Sequence, residues 1–164
     1  MHKQQIMTST STATSMLRDD QKIVKSLEGN NICADCEQTN PTWCSVSFGI
    51  LLCLECSGKH RGLGTHISFV RSLDMDSFSA KQIQVLKIGG NKQCNSYLQD
   101  QHTQQQPQQQ RENTTTDDFT TTACTNPTTK NNSARVKYDN NIAELYKLKL
   151  KARVEGKPEP TELP

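Results

Sequence analysis

Apolar residues recur at helical spacing over most of this chain, and two short apolar clusters break the pattern. Leu17, Val24 and Leu27, with Ile23 beside them, share one stripe and predict a helix from Met16 or Leu17 to Glu28. Thr14 or Ser15 is placed to cap it. Asp19 and Asp20 fall in its first turn, where the helix dipole favours negative charge, and Gly29-Asn30 ends it. Trp43 to Ser47 and Ile50 to Cys53 read as a short hairpin turning near Phe48-Gly49. Glu55 to Arg61 reads as a short helix stopped by Gly62 and Gly64, and Ile67 to Val70 as a strand. Ser79 caps a helix over Ala80 to Ile88 that turns Ile83 and Leu86 inward. Gly89-Gly90 closes it, and the next helix, from Asn91, carries Cys94, Tyr97 and Leu98 on one face. Val136 to Val154 is the last helical stretch, with Asp139 or Asn140 as cap and Gly156, Pro158 and Pro160 ending it. Lys147, Lys149, Lys151 and Arg153 load its carboxyl end. They read as a solvated basic face rather than a membrane strip.

Two kinds of sequence fall outside this pattern. Residues 1–15 are rich in Ser and Thr and read as a disordered lead-in, and 156–164 as a disordered tail. Within 101–133, 21 of 33 residues are Gln, Thr or Asn and no apolar period survives. Such a segment cannot bury enough surface to order itself, and Cys124 within it reads as a free exposed thiol.

The 164 residues suffice for one domain with a modest core. Hydrophobic content of 32% and aromatic content of 5% are low, so part of the chain is disordered or a metal replaces some core. A net charge of +2, and nine basic against nine acidic residues from Met16 to Asp100, argue against nucleic-acid binding by bulk electrostatics. Seven cysteines, an odd number with two tight pairs, fit a reducing cytosol and a metal better than a disulfide framework. No apolar run approaches the roughly 20 residues that span a bilayer. His2 is read as excluding N-myristoylation, and the amino terminus as lacking a signal-peptide core. A cytoplasmic protein is expected.

The cysteines carry the first chemistry. Cys33/Cys36 and Cys53/Cys56 are two C-x2-C pairs separated by sixteen residues, the spacing of a four-thiolate zinc site. Two such turns facing each other give four soft ligands in a tetrahedron, and Zn2+ has no d-electron geometry to oppose it. Four protein ligands leave no open position for water, so one structural Zn2+ is expected. His60 and His66 are ligands by residue type, but with four thiolates neither is needed. Both read as hydrogen-bonding supports of the turn around Arg61. Cys44 and Cys94 read as small buried residues.

The residues around the cysteines are more specific. Trp43, Ser47-Phe48-Gly49, Cys56-Ser57-Gly58-Lys59-His60-Arg61-Gly62-Leu63-Gly64 and His66-Ile67-Ser68 with Val70-Arg71-Ser72 together resemble the ArfGAP family, zinc-dependent GTPase activators of Arf-type small GTPases. The resemblance runs from about Met16 to Tyr97 and resumes near Ala134. It implies one domain over 16–155, interrupted by the low-complexity insertion at 101–133. The implied fold is α+β, a small four-cysteine zinc module with a short β-hairpin or sheet, flanked by α-helices. The implied partner is a GTP-bound Arf-type GTPase, with transient membrane or vesicle-coat association and recruitment to the Golgi or other endomembranes. The chain would then be no enzyme by itself. In the family the arginine of this H-R motif is inserted toward the GTPase's nucleotide, which makes Arg61 the implied arginine finger. Trp43 would support the zinc module and that arginine. Ile50 and Leu63 would serve as partner contacts or as supports, and His60 as a support. Lys59, Thr65, Phe78 and Cys44 depart from the residues usual in the family and bear on partner preference.

Two other readings share these residues. GATA-type DNA-binding fingers have nearly this cysteine spacing, but they need a basic recognition helix after the second pair. Here the following residues are HRGLGTHISFVRSLDMD. An inactive adaptor that binds the GTPase without stimulating it would carry the same motifs.

Overall fold

The computed structural model describes residues 14–104 and 129–164. Their elements are β1 (Thr14–Ser15), α1 (Arg18–Ser26), β2 (Trp43–Ser45), β3 (Ile50–Leu52), α2 (Leu54–Leu63), β4 (Val70–Ser72), β5 (Ser77–Phe78), α3 (Ala80–Ile88), α4 (Asn91–Gln104), α5 (Thr129–Tyr138) and α6 (Asn141–Glu155). The α+β class expected from the sequence is the one observed.

At the centre lies an antiparallel three-stranded sheet in the order β3-β2-β4. Cys44 pairs with Leu51 on one side and Arg71 on the other, and Trp43 pairs with Leu52 and Ser72. Because side chains alternate along a strand, the sheet feeds two cores. Cys44 and Leu51 join Val24 of α1, Leu73, Phe78 and Leu86 of α3 on one face. Ile50 and Leu52 join Phe48, Tyr138, Tyr146 and Leu150 on the other. Every residue of β3 is buried, which accounts for its unbroken Ile-Leu-Leu run in place of an alternating pattern.

The hairpin tip is locked by a close backbone approach. Gly49 has φ 64°. A Cβ on Gly89 would lie 2.5 Å from the Gly49 carbonyl oxygen, and the Gly90 N–H donates to that oxygen at 2.9 Å. Only glycine at both positions lets the end of α3 seat on the hairpin.

A buried pair of asparagines ties the sheet to the helices. Asn91, 3% exposed, accepts from the Leu51 N–H at 2.7 Å, and its amide donates to the carbonyls of Ile32 and Leu51 at 2.6 and 3.1 Å. Its own N–H donates to Asn30 Oδ1 at 2.8 Å, and the Asn30 amide donates to the Val24 carbonyl at 2.7 Å.

Several expectations need correction. Thr14 and Ser15 do not cap α1. They form β1 against Ser77–Phe78, and α1 starts after Leu17 with no side-chain cap. In the expected apolar stripe Leu17 is 70% exposed and Ile23 46%, while Met16 and Val24 are buried. The strand expected at Ile67 to Val70 lies at Val70–Ser72. The N–H groups of Ile67 and Ser68 are taken by the Gly64 carbonyl at 3.1 and 3.0 Å, which makes this stretch a turn. The single helix expected over 136–154 is two helices broken at Asp139-Asn140, where Asn140 Oδ1 accepts from the Ala143 N–H at 2.9 Å as the N-cap of α6. Helices also run into both ends of the 101–133 stretch, to Gln104 and from Thr129. Its remainder, with Cys124, and most of the 1–15 lead-in lie outside the described residues. Beyond residue 155 the chain has no regular element, and Arg153 Nε donates to Glu159 Oε1 at 2.6 Å.

Replacing Asn91 with Ala would strand the buried Leu51 N–H and the Ile32 carbonyl. The expected loss is about 2 to 4 kcal/mol of unfolding free energy, read from the denaturant midpoint of metal-loaded protein. A midpoint equal to the wild type would remove the pair from the account of the fold.

Candidate functional site

Four cysteine sulfurs converge at one edge of the sheet. The ligand atoms of Cys33, Cys36, Cys53 and Cys56 all lie within 4.8 Å of one another, and Cys36 Sγ and Cys53 Sγ are 3.6 Å apart. A tetrahedron with metal–sulfur bonds of about 2.3 Å has edges of about 3.8 Å, so the spacing suits a tetrahedral ion. Local backbone explains the convergence. The Cys33 N–H donates to the Gln38 carbonyl at 2.8 Å and closes the first turn around its pair. Cys53 is the N-cap of α2, and Cys56 stands in its first turn. The Cys53 N–H points at Cys33 Sγ at 3.2 Å and the Cys56 N–H at Cys53 Sγ at 3.3 Å. Such donors favour the thiolate form that a metal needs. Burial pushes the thiols of Cys33 and Cys56 up. At Cys53 burial also acts upward, but hydrogen bonds from Cys56 outweigh it and lower the pKa. A metal ion would take the place of the thiol protons and hold all four sulfurs. Cys36 is exposed and the other three are buried, so the centre sits at the surface on one side only.

Helix α2 leads from this centre to Arg61. Its last turn holds His60, fully buried, next to Arg61, which is exposed. The Arg61 guanidinium lies over the half-buried Trp43 ring, 4.6 Å from its centroid. Gly64 ends the helix at φ 96°, and its N–H donates to the Arg61 carbonyl at 3.2 Å. A Cβ on Gly64 would lie 2.6 Å from the His66 ring.

His60 is the centre of a buried polar chain. Its Nε2 lies 2.7 Å from Asp35 Oδ2 and its Nδ1 2.7 Å from Ser68 Oγ, which is itself 2.7 Å from Ser45 Oγ. Because a carboxylate only accepts, Nε2 carries the proton. Asp35 Oδ1 accepts from Lys137 Nζ and from the Tyr138 hydroxyl, each at 2.7 Å. Burial pushes the Asp35 carboxyl up, but the His60 hydrogen bond and the Lys137 charge outweigh it and hold its pKa well below the usual carboxylate range. Tyr138 also packs on the His60 ring, with centroids 4.5 Å apart. The order Asp35–His60–Ser68 has the connectivity of a nucleophile triad. Ser68, however, is 1% exposed and its hydroxyl is shared with Ser45, so no substrate reaches it.

The structure thus brings the four cysteines together and sets Trp43, His60 and Arg61 around one end of α2. It separates two other expected residues from any partner surface. Ile50 is 0% exposed and Leu63 5%, so both are core and can act only as internal supports. His66 supports the turn by packing on Gly64; its ring does not join the hydrogen-bonded chain. The basic face of α6 is largely partnered. Lys147 reaches Glu144 and the His66 carbonyl, Lys149 lies over Tyr97, and Arg153 bonds Glu159. Sequence reasoning missed Asp35, Ser45, Ser68, Lys137 and Tyr138. An acidic residue inside a cysteine pair was a usable signal for Asp35. Tyr138 stands 103 residues away from it, and no spacing rule connects them.

A family model described as "Putative GTPase activating protein for Arf" matches residues 18–155, and the chain belongs to this ArfGap family. It is similar to ADP-ribosylation factor GTPase-activating protein 3 of Pongo abelii, with 33% identity over 132 residues, 80% of this chain and 20% of that protein. It is also similar to ADP-ribosylation factor GTPase-activating protein GCS1 of Saccharomyces cerevisiae, with 34% identity over 127 residues, 77% of this chain and 29% of that protein. Among solved structures, the "putative GTPase activating protein for ADP ribosylation factor" of Cryptosporidium parvum matches with TM-score 0.59 and 32% identity, covering 83% of this chain and 89% of that one. The chain therefore spans a fifth to under a third of these two curated relatives.

Proposed function

We propose that this chain stimulates GTP hydrolysis by an Arf-type small GTPase, with Arg61 as the arginine supplied in trans. The observation that carries the reading is an exposed arginine on a helix clamped by four cysteines, in a chain matched to the family over residues 18–155. The GTPase brings nucleotide, Mg2+ and the attacking water, so the chain is an activator rather than a hydrolase. When the partner docks, the Arg61 guanidinium leaves the Trp43 face and meets the charge that develops on the transferring phosphoryl oxygens. A surface cation–π contact is worth only about 0.5–1 kcal/mol, so Trp43 can hold the arginine near its working position without trapping it. Lysine is a poor substitute, because it lacks the planar fork.

The metal is read as one structural Zn2+, bound by Cys33, Cys36, Cys53 and Cys56. When bound it cross-links the first cysteine turn to the start of α2. The soft all-sulfur donor set and the short sulfur spacing support this reading. The partner is read as GTP-bound, and the site of action as the cytoplasmic face of the Golgi or other endomembranes, with recruitment through vesicle coats or the GTPase. The family relationship supports this, and no described helix is long and apolar enough to cross a membrane. An adaptor without activity remains an outcome of the test below.

The metal reading predicts one zinc per chain by elemental analysis. Cys53→Ser should lose the ion and the cooperative unfolding of the module, since structural zinc contributes on the order of 10 kcal/mol in small domains. A folded, active preparation without zinc would refute it.

The finger reading predicts that Arg61→Ala keeps metal and fold yet loses about 10^3- to 10^5-fold of the stimulation, about 4 to 7 kcal/mol. Arg61→Lys should recover little. Affinity for the GTP-bound partner should fall much less, because a transition-state contact adds little to the ground-state complex. Arg71 is the control. It lies on the other face of the sheet from α2, over the Phe69 ring at 4.9 Å. Single-turnover hydrolysis at saturating activator decides the matter. Full stimulation by folded Arg61→Ala sinks the finger reading, and no stimulation by the wild type favours the adaptor.

A further inference from the structure

We propose that Asp35 is a positioning residue for Arg61, acting through His60 to fix the rotation of the last turn of α2. The inference rests on the finger reading above.

The metal centre holds only the start of α2, through Cys53 at the N-cap and Cys56 in the first turn. Arg61 stands five residues beyond Cys56, about 7.5 Å along the helix axis. Gly58 lies between the two, and Gly62 follows Arg61. Neither has a neighbour within 4 Å of the place a Cβ would take, so that side of the helix is open, and α2 is held there only by its buried face, through Ser57, His60 and Leu63. Glycine is a weak helix former, and α2 by itself is a soft lever between the metal and the arginine.

A second clamp sits where stiffness is needed. His60 is the residue before Arg61, and its ring is held at both nitrogens by different parts of the chain. Ser68 lies in the turn leading to β4 and is joined to Ser45 of β2. Asp35 lies between Cys33 and Cys36 and is itself gripped by Lys137 and Tyr138 of α5. Rotating the last turn of α2 would break both ring contacts at once. Asp35 is therefore the point at which the first cysteine turn, the finger helix and the helix beyond the insertion are tied together. Its carboxylate fixes which His60 nitrogen carries the proton, and so fixes the ring's orientation. A misplacement of about 1 Å in such a group costs about a hundredfold in rate.

The test has two readouts. The first is free of the GTPase. Trp43 is the only tryptophan of the chain and carries the Arg61 guanidinium on its face, so its fluorescence reports where Arg61 sits. In Asp35→Asn, emission and acrylamide quenching should move toward those of Arg61→Ala, with far-ultraviolet circular dichroism and metal content kept. The second is single-turnover GTP hydrolysis by an Arf-type GTPase across activator concentrations. Asp35→Asn should lower the maximal rate by about ten- to a hundredfold, with the half-saturating concentration within about threefold of the wild type. Tyr138→Phe, which removes one hydroxyl far in sequence from the cysteines, should give the same pattern at smaller size. It decides the matter if Asp35→Asn loses metal. A metal-loaded Asp35→Asn, or failing that Tyr138→Phe, with wild-type maximal rate and Trp43 emission overturns the proposal. So does a loss confined to the half-saturating concentration, which would assign Asp35 to folding or binding. If the wild type is no better than Arg61→Ala, the finger reading has failed and the proposal goes with it. If Arg61→Ala alone is impaired, only this inference fails.

Discussion

Four sulfurs drawn to within 4.8 Å of one another are the constraint on which the other contacts depend. The chain has few aromatic residues and a sheet of three-residue strands, too little for a large core. The cysteine turns compensate. Through the first pair the Ala34 N–H reaches the Leu51 carbonyl at 3.0 Å and joins the turn to β3. Through the second pair the N-cap of α2 becomes part of the cysteine cluster, so a metal held there would fix both where the helix starts and where it points. A structural metal at these sulfurs would couple folding to the proposed function, because the bonds that close the module would also orient the helix carrying Arg61.

The rest of the site divides its work between apolar and polar groups. Ile50, Leu52 and Leu63 fill the space beneath α2 and give it depth. They cannot set its rotation, because apolar contact is not directional. The Asp35–His60–Ser68–Ser45 chain supplies direction, and every member of it has a partner. Asp35 stays ionised inside the protein because Lys137, Tyr138 and His60 all address it. Removing one partner would leave that charge less fully compensated. Trp43 lies outside this chain; it packs against the core and carries the exposed Arg61 guanidinium on its ring.

How much of this the sequence showed follows from how local each signal is. The four-cysteine cluster, the hairpin and the helix over Ala80–Ile88 were legible because each rests on residues within a turn or two. Ser79 and Gln82 form a capping box at the start of that helix, with both reciprocal bonds present. The pairing of Thr14–Ser15 with Ser77–Phe78 was not legible, since two-residue strands carry no period. Asn140 was legible as the cap of α6, but the helical residues before it, Val136 to Tyr138, were not separated from α6 and belong to α5. At the site, Arg61 and Trp43 were singled out through motif resemblance, and the structure places them in contact. For Ile50 and Leu63 the sequence left partner contact and support both open, because an apolar residue beside a motif looks the same in sequence whether it faces a core or a partner; both are buried. The Asp35 network escaped because its members come from three distant segments joined only in the fold.

The central claim is that a metal-clamped helix presents an arginine that activates a partner GTPase. The most direct measurement is single-turnover GTP hydrolysis by a purified Arf-type GTPase with wild-type chain, repeated after chelation of the activator's metal and again after zinc is restored. The account predicts strong stimulation, loss of it with the metal, and recovery in step with one zinc bound per chain. Stimulation that survives complete removal of the metal, or its absence in the zinc-loaded protein, would contradict it.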